Sequence, residues 1–145
     1  MILFSSALEL ILEYKIIMHK LVIDVASEKI FLMVITKEDI YNITKENTKI
    51  NYGKLNLILK DFLKSNSLKL QDIQKIYVNR GPGSFAGIRN SLSIVKAINV
   101  AKKIDYYCYS LKDFKDQKDV KYEDIPNLCD KFKIKKNLIK PIYLS

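Results

Sequence analysis

The sequence of 145 residues predicts an α/β fold of three antiparallel strands, then two parallel crossover strands, with two main helices. Three short apolar or alternating segments lie between about residue 20 and residue 46, a pattern typical of short strands joined by turns. An amphipathic helical pattern follows. An apolar run then ends in a glycine-rich turn that opens a second helical pattern. Because such crossovers are right-handed in nearly all proteins, this order describes one mixed sheet in a single domain.

Five strands are predicted from apolar segments bounded by turn residues. They cover residues 21–26, 29–36, 39–46, 73–79 and 106–109. The turns at 26–29 and 37–38 are short, so the first three strands are expected to be antiparallel neighbours.

Two helices are predicted from apolar stripes, over residues 52–65 and 85–103. The stripe of the first falls at i, i+3, i+4, i+7 and i+8: Leu55, Ile58, Leu59, Phe62 and Leu63. The stripe of the second is Phe85, Ile88, Leu92, Val95, Ile98 and Ala101.

Composition is typical of a soluble globular protein, with 48% hydrophobic and 28% charged residues. No apolar run is long enough to span a membrane, and a reducing cytoplasm is the expected compartment. Cys108 and Cys129 have no metal-ligand spacing, and His19 is the single histidine, so no zinc site is expected.

The formal net charge is +9, from 25 basic and 16 acidic residues. Such a balance is compatible with nucleic acid as a distant partner. Most lysines are spread out, which favours a solvated surface. The dense run near the end, Lys131, Lys133, Lys135, Lys136 and Lys140, is assigned at most a minor steering role.

Residues 1–17 form a separate apolar stretch that Glu9 and Glu13 interrupt. A signal peptide would need a basic start and a small-residue cleavage site, and neither is present. The simplest interpretation is that Met18 is the true start. The alternative is a short amphipathic helix with Leu3, Leu8, Leu12 and Ile16 on one face.

The glycine-rich turn and the first turn of the helix that follows hold three of the chain's 4 glycines, Gly81, Gly83 and Gly87. Pro82 fixes one turn dihedral, and Ser84 is placed to cap the following helix. A turn of this kind can hold phosphate, but it has neither GK[ST] nor GxGxxG with a following acidic residue. Spacing alone therefore leaves a ligand loop and a plain strand-to-helix connection equally open.

Residues 81–89 read Gly-Pro-Gly-Ser-Phe-Ala-Gly-Ile-Arg, which closely resembles the GPGSFTGxR signature of TsaB (YeaZ-type) proteins. Residues 21–27, Leu-Val-Ile-Asp-Val-Ala-Ser, resemble the ILAIDTAT opening strand of that family. The likeness runs from about Leu21 to about Phe114, and residues 140–144 also resemble the family's ending. Members of the family are non-catalytic partners in bacterial threonylcarbamoyl-adenosine tRNA modification.

The resemblance implies one half of the actin/Hsp70-like, ribonuclease-H-like fold. Family members usually have a second αβ domain before their ending, whereas about thirty residues fill that gap here. We therefore predict a non-family N-terminal extension at 1–17, a TsaB-like domain at 18–114, and a lysine-rich linker and C-terminal segment at 115–145. One short helix is expected near 126–132.

Asp24 and Ser27 match the family's DTAT positions, so the resemblance makes them candidate nucleotide-facing residues. The sequence itself favours a simpler role for Asp24, a strand-end carboxylate that caps the amides of its own turn. No catalytic residue and no metal ligand is predicted. There is no GxSxG elbow, and residues 50–52 read Ile-Asn-Tyr where metal-binding relatives carry histidine.

Small residues recur every fourth position at the start of the second helix: Gly83, Gly87 and Ser91. They would allow another helix to approach closely, from a partner or from the first helix of the same chain. In the TsaB family these two helices form the interface with the catalytic subunit TsaD or with a second TsaB copy. The implied loop and interface residues are Gly81, Gly83, Ser84, Gly87, Arg89, Ser91, Val95, Tyr52, Leu55 and Leu59.

The resemblance implies a non-catalytic scaffold or dimerisation subunit that supports threonylcarbamoyl transfer by a TsaD-type enzyme to the adenosine beside the tRNA anticodon. Its partners would be that enzyme, a TsaE-type ATPase or a second copy of the chain, with tRNA reached indirectly. ATP and metal would belong to the complex. Two alternatives stay open: a minimal nucleotide-dependent hydrolase or phosphotransferase using Asp24 and the glycine-rich turn, and a relic that no longer assembles.

Overall fold

The computed structural model describes Ala7 and residues 18–143, and it contains a five-stranded sheet of order β3-β2-β1-β4-β5. The strands are β1 (His19–Asp24), β2 (Lys29–Ile35), β3 (Ile40–Glu46), β4 (Ile73–Asn79) and β5 (Asp105–Tyr109). β1 to β3 pair antiparallel, whereas β4 lies parallel to both β1 and β5. The predicted mixed α/β sheet is confirmed. The extension at 1–17 lies, except for Ala7, outside the described residues.

Four α-helices lie in the described part: α1 (Lys49–Tyr52), α2 (Leu55–Ser65), α3 (Phe85–Lys102) and α4 (Ile125–Lys131). The prediction of a single helix over 52–65 is wrong at its start, because Tyr52 ends the separate short helix α1 and α2 begins only at Leu55. The Thr48 side chain caps α1 by accepting a hydrogen bond from the backbone N–H of Asn51, and Gly53 ends it. α3 matches its prediction to within one residue, since left-handed Lys103 (φ 57°) ends it.

The larger core lies between the sheet and the helices α2 and α3. Successive strand residues point to opposite faces, so Leu21 and Ile23 of β1 enter this core while Val22 between them does not. Two residues of the predicted stripe of α3, Phe85 and Ala101, are exposed and do not enter the core. The Phe85 ring lies against that of Tyr143, with ring centroids 4.6 Å apart.

A second core covers the opposite face of the sheet. Its sheet residues are Val22, Met33, Tyr77 and Tyr109, and the segment after β5 contributes Phe114, Ile125 and Cys129. The short helix expected near 126–132 is present as α4. The described part of the segment assigned as linker and C-terminal segment is therefore packed against the sheet.

Among the described residues, none of the helices combines the length and apolar character needed to cross a membrane.

Replacing Ile125 tests how much this second core stabilises the chain. Ile125 is 1% exposed, so Ile125→Ala should lower the free energy of unfolding by about 2–5 kcal/mol through lost burial and a residual cavity. Leu111→Ala is the control, because Leu111 is 56% exposed and should change stability by less than about 0.5 kcal/mol. Urea denaturation followed by circular dichroism measures both. Equal, small effects would mean that the segment behaves as a linker.

Candidate functional site

The glycine-rich turn, residues 80–84, connects the end of β4 to the start of α3. The Ser84 hydroxyl accepts a hydrogen bond from the backbone N–H of Gly87 at 3.2 Å, which confirms the predicted helix cap. The backbone N–H of Ser84 donates to the carbonyl of Ala26 at 2.9 Å. The turn is thereby joined to the turn between β1 and β2.

Glycine is required at three positions because other backbone atoms lie where a side chain would begin. A Cβ on Gly81 would lie 2.1 Å from the carbonyl oxygen of Ile142, and Gly81 also has φ 110°. A Cβ on Gly83 would lie 2.0 Å from the carbonyl oxygen of Ala26, and one on Gly87 2.1 Å from that of Val25. The space beside these glycines is filled by the chain itself, which favours the strand-to-helix connection over a phosphate cradle.

Arg80 at the start of the turn is held by a largely buried ion pair. Its Nη2 and Nε donate to the carboxylate of Asp113 at 2.7 and 3.3 Å, and its Nη1 donates to the carbonyl of Lys140 at 3.1 Å. Asp113 also accepts the backbone N–H of Ser110 at 2.8 Å. This group therefore joins the turn, the residues after β5 and the C-terminal segment.

Asp24 at the end of β1 is 6% exposed, and both of its carboxylate oxygens are engaged. Oδ1 accepts the backbone N–H of Ala26 at 3.0 Å, and Oδ2 accepts the hydroxyl of Tyr122 at 2.8 Å. The Tyr122 ring stacks on Phe31 with centroids 3.9 Å apart. Burial, and then the charge of Asp24, raise the pKa of Tyr122, so the phenol keeps the proton that it donates.

Asp24 thus caps its own turn, the role that the sequence itself favours. Ser27 is exposed, and its carbonyl accepts the side-chain amide of Asn47 at 2.6 Å. A nucleotide-facing role for Asp24 and Ser27 stays a prediction, but a nucleotide would compete with Tyr122 for the carboxylate.

An apolar groove of about 820 Å³ runs between α2 and α3. Leu55 and Leu59, both predicted interface residues, line it from α2, and Tyr52 lines one end. The Asn90 side-chain amide in α3 donates to the carbonyl of Tyr52 at 3.3 Å and joins the two walls there. The remaining lining residues are Gly53, Asn56, Lys60, Leu63, Lys64, Leu68, Leu70, Ser93, Ile94, Ala97 and Ile98.

The predicted interface residues on α3 divide into buried and exposed positions. Gly87, Ser91 and Val95 are buried, and the Ser91 hydroxyl donates to the carbonyl of Ile88 at 2.9 Å. Gly83 and Gly87 pack against the turn between β1 and β2. The intrachain alternative, in which these glycines pack against the first predicted helix, is therefore wrong for both of them. Ser84 and Arg89 are exposed. A partner role for the buried residues stays a prediction, and it would have to act through the helix surface.

Of the residues on the α3 side of the groove, only Ile98 belongs to the apolar stripe predicted from the sequence. Asn90, Ile94 and Ala97 also line the groove but stand outside the apolar stripe that the 3.6-residue period assigned to the core. Their spacing of three and four residues was a usable signal, because it marks a second face of the same helix. The contact of Asp24 with Tyr122 had no such signal, since 98 positions separate the two residues.

No group of three His, Cys, Asp or Glu residues within the described part of the chain is placed to hold a metal ion. Both cysteines are buried, and burial raises the pKa of the Cys108 thiol to about 11 and that of Cys129 to about 12. These thiols are therefore protonated near neutral pH and poor nucleophiles.

Three comparisons with known proteins point in one direction. A family model described as TsaD, tRNA N6-adenosine threonylcarbamoyltransferase, matches residues 52–110. The tRNA threonylcarbamoyladenosine biosynthesis protein TsaB of Buchnera aphidicola subsp. Schizaphis graminum is 28% identical over 98 residues, 68% of this chain and 47% of that protein. Its counterpart in Buchnera aphidicola subsp. Baizongia pistaciae is 32% identical over 66 residues, 46% of this chain and 30% of that protein.

The chain thus spans about half the length, or less, of these curated relatives.

Among solved structures, YeaZ from Pseudomonas aeruginosa superposes with a TM-score of 0.60 at 19% identity, over 64% of this chain and 44% of that one. A second structure, titled as an uncharacterized protein with similarity to peptidase YEAZ from the same organism, gives 0.60 at 18% identity, over 69% and 49%. These likenesses confirm the predicted mixed α/β fold, because this chain shares it with about half of each of the two solved chains.

Substituting Gly83 tests whether the turn is packed or open. The new Cβ of Gly83→Ala would collide with the carbonyl of Ala26, so the free energy of unfolding should fall by about 1–3 kcal/mol. Gly53→Ala is the matched control, because its nearest atom is 3.1 Å away and the change should stay within about 1 kcal/mol. Urea denaturation compares the two. An unaltered stability for Gly83→Ala would favour an open ligand loop.

Proposed function

We propose that the chain is a TsaB/YeaZ-type protein that acts as a non-catalytic scaffold subunit in threonylcarbamoyladenosine synthesis on tRNA. It binds and positions a TsaD-type catalytic subunit, or pairs with a second copy of itself, while a TsaE-type ATPase acts in the same complex. The two curated relatives are tRNA threonylcarbamoyladenosine biosynthesis proteins, which supports this pathway. Because the chain covers only part of those relatives, this assignment concerns the portion built from the sheet, α2 and α3.

The observation that carries the proposal is the apolar groove between α2 and α3. An amphipathic helix buries its apolar face in a groove of this kind, with side chains spaced three and four residues apart. Leu59 and Leu63 on α2 and Ile94 on α3 offer apolar surface for such a helix. Lys60 and Lys64 also line the groove, so acidic side chains on the partner would give complementary charge.

A hydrolase or phosphotransferase centred on Asp24 and the glycine turn is the alternative that this arrangement disfavours. Asp24 already accepts two hydrogen bonds from groups of the chain, and the turn is packed against Ala26 and Ile142. A nucleotide at this position would have to displace Tyr122 and part of the C-terminal segment. We infer that ATP and metal are held by the other subunits.

Placing a charge in the groove tests the scaffold role. Ala97 is exposed and lines the groove, so Ala97→Glu should weaken association with a TsaD-type subunit, or with a second copy, at least about 10-fold, or about 1.4 kcal/mol. Ala101→Glu is the matched control, because Ala101 is exposed on the same helix outside the groove and should bind as the unmodified chain does. Isothermal titration calorimetry and sedimentation velocity measure the two kinds of association, and thermal melting checks that both variants fold.

Three results would count against the groove as the interface or against the scaffold role itself. Equal losses in the two variants would place the partner elsewhere on α3. A groove variant that binds as well as the unmodified chain would remove the groove from the interface. If the unmodified chain associates neither with a TsaD-type subunit nor with itself, the relic interpretation is favoured.

Nucleotide binding by the isolated chain is expected to be undetectable. Calorimetric titration with ATP and Mg²⁺ should give no isotherm in the micromolar range, because Tyr122 occupies the Asp24 carboxylate. Tyr122→Phe removes that hydrogen bond, but the ring stays on Phe31 and the glycine turn stays packed against Ala26 and Ile142, so this variant should not create a site either. A clear isotherm for the unmodified chain that Asp24→Ala abolishes would revive the enzyme alternative.

A further inference from the structure

The lysine run near the end of the chain is exposed and nearly free of opposite charge. Residues 131–145 contain Lys131, Lys133, Lys135, Lys136 and Lys140 and no acidic residue. All five of these side chains are exposed. Among the described residues, only Lys136 of the five has a carboxylate oxygen within 4 Å, that of Asp105 at 3.7 Å. Four lysines are therefore available to an external anion.

The backbone beneath these lysines is fixed to the outer edge of the sheet. The Asn137 backbone N–H donates to the carbonyl of Tyr106 at 2.7 Å, and the Asn137 side-chain oxygen accepts the Tyr106 N–H at 3.0 Å. Its amide nitrogen donates to Asp105 at 2.8 Å. Lys136 forms an antiparallel bridge with Tyr107, and the Ile134 N–H donates to the carbonyl of Cys129 at 2.9 Å. The lysines are thus presented along β5 from a folded segment, which lowers the ordering cost of binding.

Further positive charge comes from neighbouring elements. Lys75 on β4 lies over the Tyr107 ring, with Nζ 5.8 Å from the centroid. The side-chain amide of Asn99 on α3 donates both to the Ile104 carbonyl and to Asn137, so α3 ends beside this segment with Lys102 and Lys103. The acidic side chains interspersed here are Asp105, which is engaged by Lys136 and Asn137, and Asp130 at the end of α4. The net charge of this edge is positive.

We propose that this basic edge, formed by Lys75, Lys131, Lys133, Lys135, Lys136 and Lys140, binds the sugar–phosphate backbone of RNA directly. The inference deepens the proposed function, on which it rests for the choice of RNA, because it makes the chain itself a contact for the substrate. Lysine ammonium groups contact phosphates as point charges and carry no base readout, so the edge positions RNA without selecting its sequence. Its contribution is electrostatic and depends on salt.

The test uses fluorescence anisotropy of a labelled tRNA transcript with the purified full chain at several KCl concentrations. The variant Lys133→Glu/Lys135→Glu reverses two charges on the basic edge. The control Lys37→Glu/Lys45→Glu makes the same change in net charge on exposed residues of the β2–β3 turn and of β3, the opposite edge of the sheet. Thermal melting checks that both variants fold.

Reversing the edge charges should weaken tRNA binding at least about 10-fold, and the control should change it less than about 3-fold. Losing two phosphate contacts should also reduce the slope of log affinity against log salt by about 1.5–2. Equal losses in both variants would show that net charge alone attracts RNA. No salt-dependent binding by the unmodified chain would overturn the proposal.

Vesicles of phosphatidylcholine and phosphatidylserine form a second arm of the same experiment. Binding to vesicles that depends on Lys133 and Lys135, with tRNA binding unchanged in the variant, would replace RNA by an anionic lipid surface and overturn the proposal. The assay contains no partner subunit, so it does not depend on the groove. Partner association and tRNA binding are measured separately on the unmodified chain, so the absence of one without the other would show which of the two proposals fails.

Discussion

The ion pair between Arg80 and Asp113 sets the position of the C-terminal segment, and the geometry of the turn follows from it. The two side chains are only 12% and 20% exposed, so removing either one would leave the other as a poorly solvated, unpaired charge. Arg80 also binds the carbonyl of Lys140, and its own carbonyl accepts the N–H of Ile142 at 2.7 Å. Ile142 therefore crosses directly over Gly81, which leaves no room there for a side chain. The glycine that looked like part of a ligand loop is required by a contact within the chain.

The same segment determines what Asp24 can do. By covering the second face of the sheet it brings Tyr122 onto Phe31 and against the Asp24 carboxylate. A strand-end carboxylate left in water would be free to face a ligand or its magnesium ion. Here it is withdrawn from solvent and satisfied by an amide and a phenol, so its chemistry is structural. The residues after β5 thus close the second face of the sheet, and one of them, Tyr122, occupies the Asp24 carboxylate.

Local patterns were sufficient for most of the fold, because strands, the second helix and the capped turn depend on residues close together in sequence. Ser84 and Gly87, three positions apart, are an example of a contact that spacing predicts. Contacts between distant residues were not predictable in this way. Asp24 with Tyr122 and Arg80 with Asp113 join segments that carry no shared periodicity, and the small residues at 83 and 87 have a spacing that fits several packing partners equally well. The apolar groove was half predicted, since Leu55 and Leu59 belong to the stripe of α2, whereas Ala97 lies outside that of α3.

Helix α3 separates the two surfaces to which functions are assigned. Asn90, Ile94 and Ile98 line the groove, whereas Arg89, Lys96 and Val100 lie beside Ile139 and Tyr143 of the C-terminal segment. Ser93 and Ala97 stand between the two sets and border both surfaces. A protein partner seated in the groove would therefore leave the basic edge uncovered, and RNA held along β5 would leave the groove open. Because none of the lysines of the basic edge lines the groove, the two proposed occupants, a catalytic subunit and RNA, do not have to compete for the same side chains. That arrangement gives a scaffold a physical means to raise the local concentration of one partner at the other.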